Sequence, residues 1–146
     1  MKEINYEKLT SDHYNEVITL WLRTEGVGVG KGDDPDELNF FLNRNEHLSF
    51  IAKSDDQIIG TILCGHDGRR GYIYHLAVDK GFRCKGIGKK LVELSVKGLK
   101  DAGIGKCHLF VYNDNVNAQV FWSRIGWKER TDLVIMSGDI SNKIQK

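Results

Sequence analysis

Residues 72–102, YIYHLAVDKGFRCKGIGKKLVELSVKGLKDA, change their apolar period partway along, and that change dictates a local architecture. Residues 72–78 are rich in aromatic and branched side chains, the composition of a strand. From Ile87 onward, Ile87, Leu91, Leu94, Ser95, Gly98, Leu99 and Ala102 recur at helical spacing. Between the two runs lie Gly81, Gly86 and Gly88 with the cations Lys80, Arg83 and Lys85, and Lys89 and Lys90 follow. A strand, a glycine-bearing loop and a helix together make an anion seat. The first N–H groups of a helix lack intrahelical partners and point outward at the positive end of the macrodipole. Glycine at the approach keeps side chains out of the way, and the cations add charge-assisted donors. A diphosphate is the natural guest.

Two common diphosphate loops do not fit. Gly81 and Gly86 have the glycine spacing of a Walker loop, but Ile87 stands where the lysine belongs and no magnesium-binding hydroxyl follows. Gly86-Ile87-Gly88 lacks the third glycine of the dinucleotide fingerprint. The stretch does carry Arg-x-x-Gly-x-Gly, as Arg83-Cys84-Lys85-Gly86-Ile87-Gly88, after Leu76-Ala77-Val78. A nucleic-acid backbone is a poor alternative source of phosphate, because the net charge of the 146 residues is only +1.

The rest of the chain reads as one domain, 1–146, with no repeat or linker. A short strand over 4–9 precedes a helix capped by Ser11, with Tyr14, Val17, Ile18, Trp21 and Leu22 on one side. Residues 26–32, GVGVGKG, follow that helix and read as a mobile loop that shapes substrate access. Asp34-Pro35-Asp36-Glu37 starts a second helix, with Leu38, Phe41 and Leu42 on its apolar face. Strands over 49–53 and 58–64 form a hairpin across Ser54-Asp55-Asp56-Gln57, and Asp67-Gly68 turns into the strand at Tyr72. Gly103 closes the long helix, and a strand over 106–112 should lie parallel to the Tyr72 strand. A helix with Ala118, Phe121, Trp122 and Ile125 ends at Gly126, and strands over 127–129 and 133–136 close the chain. The order is β-α-α-β-β-β-α-β-α-β-β, an α/β fold with a mixed sheet and helices on both faces.

Cys64, Cys84 and Cys107 are an odd number without paired or zinc-site spacing, so no metal site is expected. The first residues lack a signal peptide's apolar core, and no run approaches membrane-spanning length. The expectation is a cytoplasmic protein without a membrane or nucleic-acid partner.

A second motif stands about thirty residues beyond the loop: Asn115-x-x-Ala118-x-x-Phe121-Trp122-x-x-Ile125-Gly126-Trp127. The two motifs and the element order resemble the GNAT superfamily of N-acetyltransferases from end to end, and its small bacterial YpeA-like members most of all. The resemblance implies acetyl-CoA as co-substrate, lying where the Tyr72 strand splays from the next. Its pantetheine would pair with the backbone of Leu76, Ala77 and Val78, and the Leu76 N–H would face the thioester carbonyl. Arg83, Cys84, Lys85, Gly86, Ile87, Gly88 and Lys89 would hold the pyrophosphate. Asn115, with Ala118 and Phe121, would contact the pantetheine.

The resemblance does not carry an acid–base pair. Trp122 stands where many members have the tyrosine that protonates the leaving thiolate, and an indole only donates a hydrogen bond. Phe110 and Tyr72 stand where some members have a glutamate base. Tyr72, Tyr74, His75, His108 and Tyr112 lie on the two central strands, where such residues usually form core or wall. Tyr112 is the candidate nearest the splay, His75 alternates away from Leu76, and Glu25 could take a proton through water. The expected function is acetyl transfer to a primary amine, on a small molecule or peptide, by direct attack. The alternative is an acyl-CoA-binding sensor with little turnover; a nucleotide-phosphate-binding domain comes third. Asp33, Asp34, Asp36 and Asp67 are acids that could draw in a cationic amine, and the last two strands offer an edge for a homodimer.

Overall fold

A computed structural model describes residues 3–141. Within them lie two compact units, one ending at Asn115 and the other beginning at Val116. The first unit holds a five-stranded sheet, β1 (Ile4–Lys8), β2 (Phe50–Ser54), β3 (Gln57–His66), β4 (Gly71–Val78) and β5 (Cys107–Leu109), in that spatial order. Its neighbours are antiparallel except β4 and β5, which run parallel. Helices α1 (Tyr14–Leu22) and α2 (Pro35–Arg44) precede β2, and α3 (Ile87–Asp101) joins β4 to β5. This is the mixed α/β sheet that the sequence implies.

Local chemistry explains most element ends. Asp34 accepts from the Glu37 N–H at 2.8 Å, the Glu37 side chain reaches back, and Pro35 opens α2, so this end is a full capping box. Asp55 and Asp56 take φ of 49° and 66° between paired Ser54 and Gln57, a two-residue turn of the primed type that matches strand twist. The helix capped by Ser11 starts instead with a 3-10 turn over Ser11–His13, with Thr10 at its cap.

Val17, Leu20, Trp21, Leu38, Leu42, Ile51, Leu63 and Ala77 form a buried cluster from α1, α2 and the facing side of the sheet. Leu22 is exposed and Leu20 takes its place in the core, because α1 turns its Val17–Trp21 face inward. On α3, Ile87, Leu91, Val92, Ser95 and Leu99 are buried. The sheet admits α3 closely at glycines: a Cβ on Gly71 would come within 2.7 Å of Leu99, and one on Gly60 within 3.2 Å of Leu91.

Two strand expectations change. The strand expected over 106–112 is ordered as a strand only at Cys107–Leu109, and its ladder with β4 ends at Ile73–Leu109. Phe110 and Tyr112 have strand-forming side chains, but they lie beyond the ladder and are exposed. The second unit contains α4 (Val116–Arg124), where Trp122 is buried between Phe121 and Trp127 at ring distances of 5.2 and 4.9 Å. Gly126, at φ 99°, ends it, and the Trp127 N–H returns to the Trp122 carbonyl. No strand forms over 127–136 among the described residues, so the closing pair is absent and the sheet has five strands rather than seven. The apolar run Leu133-Val134-Ile135-Met136 made a strand plausible, but a strand needs a ladder, and all four residues are exposed.

Candidate active site

The site grows from an irregularity in β4. Thr61 pairs with Ala77 and Leu63 with Tyr74, so two residues of β4, His75 and Leu76, oppose the single Ile62. This is a bulge, and His75 carries it in the left-handed region at φ 48°. The Thr61 hydroxyl supports the bulge by donating to the His75 carbonyl at 3.0 Å. Beyond Ile73, β4 has no strand on its β5 side among the described residues, so the backbone over 74–78 forms an open edge beside Leu76.

That edge runs into the glycine loop. Asp79 caps a short 3-10 turn by accepting from the Gly81 N–H at 3.2 Å, and its other oxygen meets Arg23 at 2.8 Å. The Arg23 hydrogen bond, with help from Gly81, holds the Asp79 carboxyl below the usual range. Arg83 folds back so that its Nε donates to the Val78 carbonyl at 3.0 Å. Cys84 and Gly86 adopt φ of 63° and 80°, turning the chain into α3. Gly86 is the N-cap and supplies no side chain to α3's first donors; a Cβ there would meet nothing within 4 Å. The seat is therefore uncapped and spacious. Lys85 and Lys89 are exposed beside it.

Residues 26–28 approach the far side of this region. A Cβ on Gly26, at φ 84°, would overlap the Asn115 side chain, and one on Gly28 would lie 2.9 Å from the Tyr112 hydroxyl. The glycines thus admit Asn115 and Tyr112 to the turn after α1. Ala118, Phe121 and Trp122 belong to α4 in the second unit. Glu25 is exposed in the turn after α1.

Across β4 lies a cleft of about 690 Å³. Phe40, Phe41, Tyr72 and Tyr74 supply aromatic walls, and Asp36, Glu37, Asp67 and Arg44 are charged residues that also line it. Tyr74 meets Phe41 edge-on at 6.1 Å and stacks on Tyr72 at 6.5 Å, and Tyr72 stacks on Phe110 at 6.4 Å. Burial, with the neighbouring Tyr72, pushes the Tyr74 phenol up, so it remains a donor at neutral pH. The backbone N–H groups of Arg70 and Arg69 hold the Asp67 carboxyl below the usual range. Gly65 forms the floor: a Cβ there would press into Asn45 and Phe41 at 2.8 and 2.9 Å.

The sequence reading set His75 behind the site and grouped Asp33 with the other acids. The structure joins them: His75 Nε2 lies 3.0 and 3.1 Å from the two Asp33 oxygens. The bulge interrupts strict alternation, so His75 turns to α1 and meets Trp21 at a tilt, with ring centroids 4.6 Å apart. Asp34 is the α2 cap, and only Asp36 and Asp67 of the four expected acids line the cleft. The only advance signal for the His75–Asp33 pair was two ionisable residues in otherwise apolar or glycine-rich surroundings.

Open strand edge, uncapped glycine turn and adjoining cleft are the geometry of an acyl-CoA transferase. The acetyltransferase (GNAT) family model matches residues 14–127. An acetyltransferase of Pectobacterium atrosepticum is 35% identical over 105 residues, 71% of this chain and 73% of its own. In fold, the chain is similar to PaiA N-acetyltransferase of Thermoplasma acidophilum in complex with coenzyme A, at TM-score 0.75 and 21% identity, over 86% of this chain and 90% of that one. It is likewise similar to the aminoglycoside N-acetyltransferase AAC(6')-Iy in complex with coenzyme A, at TM-score 0.75 and 18% identity, over 97% of each. The chain belongs to the GNAT acetyltransferase family, and acetyl-CoA is its co-substrate.

Proposed function

We propose that the protein transfers acetyl from acetyl-CoA to a primary amine bound in the cleft beside β4. The open edge over 74–78, followed through a short 3-10 turn by the uncapped turn at Gly86, carries this reading. An extended pantetheine can add to that edge as a strand would, through Leu76, Ala77 and Val78. The pyrophosphate then meets the first N–H groups of α3, with Arg83, Lys85 and Lys89 supplying charge and Cys84, Gly86, Ile87 and Gly88 supplying backbone. Asn115 stands at the pantetheine side, and Ala118 and Phe121 are assigned there by their place in the second motif. Coenzyme A in the Thermoplasma and aminoglycoside acetyltransferase structures is the same ligand chemistry.

At the bulge, the Leu76 N–H is the donor for the thioester oxygen. Attack by an amine builds negative charge there, and one preorganised donor can contribute about 3 kcal/mol to the transition state. The neutral amine attacks directly. Thiolate is a good leaving group, and no strong acid is required of Trp122 or Tyr112. Aromatic walls and the carboxylates of Asp36, Glu37 and Asp67 suit an acceptor that carries positive charge, since cations bind both ring faces and carboxylates.

Calorimetric titration of acetyl-CoA into wild type and Gly86→Glu, followed by an amine panel assayed for free CoA, tests the reading. Micromolar binding lost in the variant, with turnover of at least one cationic amine, is expected. Phe110, Tyr72 and Trp122 at the family's base and acid positions favour a second reading, an acyl-CoA sensor. Tight binding with only background hydrolysis across the panel would replace the first reading by that one.

A further inference from the structure

Helix α2 runs along the cleft from the bulge to the far end of β3. Asp33, just before α2, meets His75 at the bulge. Asn45, just after α2, accepts from the His66 N–H at 3.0 Å, and Phe41 meets Tyr74 between these two ends. Asn45 is buried, and Gly65 leaves room for its side chain. Both ends of the helix are therefore fixed against the sheet.

Two charged side chains on α2 are left for a ligand. Asp36 in the first turn and Arg44 in the last both line the cleft. Neither has an ion pair or a side-chain hydrogen bond among the described residues. Glu37 and Asp67 are engaged by the backbone N–H groups of Gly32, Arg69 and Arg70. Beyond Arg44 lies a second cavity of about 500 Å³, which shares Arg44, Asn45 and His66 with the cleft. The sign of the lining changes there. Carboxylates outnumber the guanidinium in the cleft, whereas Lys8, Arg44 and Lys97 outnumber Glu46 and Asp101 in the second cavity. Lys97 pairs with Asp101 at 3.0 Å, and Lys8 donates to His47 Nδ1 at 2.6 Å. Arg44 is the cation without a partner.

We propose that Arg44 anchors an anionic group of the acceptor, at the opposite end of the cleft from the reacting amine; the inference rests on the amine-transfer reading above. Two rulers give the separation. Asp36 and Arg44 are eight residues apart on α2, about 12 Å at a rise of about 1.5 Å per residue. Four steps along β3, from Ile62 opposite the bulge to His66, span about 13 Å. That reach exceeds a single amino acid and corresponds to roughly three to four residues of extended peptide. The acceptor is thus an amine with a remote carboxylate or phosphate, either of which a guanidinium fork can bind through two hydrogen bonds. A polycation of the same length would set like charge against Arg44. A cation at the end of α2 also complements the helix dipole, but that role requires neither cavity nor any particular acceptor.

The test uses tetrapeptide amides with a free N-terminus, Ala-Ala-Ala-X, in which X is glutamate, phosphoserine, glutamine or arginine, and Ala-Glu-Ala-Ala as the short-span control. Release of free CoA is followed at low ionic strength, where exposed charges are least screened. Wild type should favour glutamate and phosphoserine over glutamine, and over the short-span control, by about tenfold or more in kcat/KM, chiefly through KM. The better of the two anions identifies carboxylate or phosphate as the recognised group, and either order supports the anchor. Arg44→Gln should bring the glutamate-to-glutamine ratio close to one, and Arg44→Lys should keep part of it. Arg44→Glu should turn the preference towards arginine, which a purely structural role would not do. Calorimetric acetyl-CoA binding by each variant should match wild type. Equal use of glutamate and glutamine, a preference that survives Arg44→Gln, or a better short-span control overturns the anchor. If wild type acetylates other amines but none of these peptides, only the anchor falls. If it binds acetyl-CoA but acetylates no amine, the amine-transfer reading falls and the anchor with it.

Discussion

The indole N–H of Trp21 donates to the hydroxyl of Thr61 at 2.8 Å, and both side chains are fully buried. The same hydroxyl donates to the His75 carbonyl, so one oxygen joins α1, β3 and the bulge of β4.

Thr61→Val keeps the shape but leaves the indole N–H and the carbonyl without this partner. Each unsatisfied buried group costs about 1–3 kcal/mol, so a loss of roughly 2–6 kcal/mol is expected from urea unfolding. Thr61→Ser, which retains the hydroxyl, should recover most of it.

Gly98→Ala sets two effects against each other. Alanine is better than glycine in a helix interior by about 1 kcal/mol. Its Cβ, however, would lie 2.8 Å from the His47 carbonyl oxygen and 2.8 Å from a Leu48 methyl. Backbone cannot yield cheaply, and overpacking of this kind costs about 1–3 kcal/mol. Net destabilisation is expected, and an unfolding midpoint at or above wild type would contradict the close approach of α3 to the segment before β2.

Asp79 gives stability a pH dependence of known sign. Its carboxyl is held below the usual range chiefly by Arg23, so its contribution is present above the unfolded value, about 3.9, and is lost as pH falls through the folded value. Arg23→Gln should flatten the decline of stability below about pH 4 while leaving its shape at pH 6–8 unchanged. Urea midpoints across that range provide the measurement; an unchanged acid limb would show that the pair contributes little.

Tyr112 is exposed beyond β5, and Trp122 is buried in α4. Neither is required as a strong acid in direct attack with a thiolate leaving group. Tyr112→Phe and Trp122→Phe should each keep kcat within a few-fold of wild type. A fall of roughly a hundredfold with unchanged acetyl-CoA binding would identify a general acid and displace this mechanism.

Local chemistry was the legible part of the sequence. The capping box at Asp34, the turn at Asp55–Asp56 and the strand–loop–helix around Gly86 depend on neighbours in the chain, so residue order discloses them. The parallel pairing of β4 and β5 followed from the helix between them. Long-range geometry was not legible. The bulge at His75 is a register shift against β3, invisible to periodicity, and it brought together two residues 42 positions apart. The closing strands failed for the converse reason: an apolar run such as Leu133–Met136 records a capacity to pair, while pairing depends on a partner's edge. Leu20 replaced Leu22 because one helical turn offers several apolar candidates and packing selects among them.

The open edge over 74–78 has a consequence outside catalysis. Unpaired strand backbone accepts any extended chain, including the same segment of another molecule. Whatever ligand lies along β4 also shields it, so the empty protein is the form at risk during concentration and storage. Aggregation on warming should therefore be governed by occupancy of that edge as well as by global stability, and a ligand too short to cover it should stabilise the fold without keeping the solution clear.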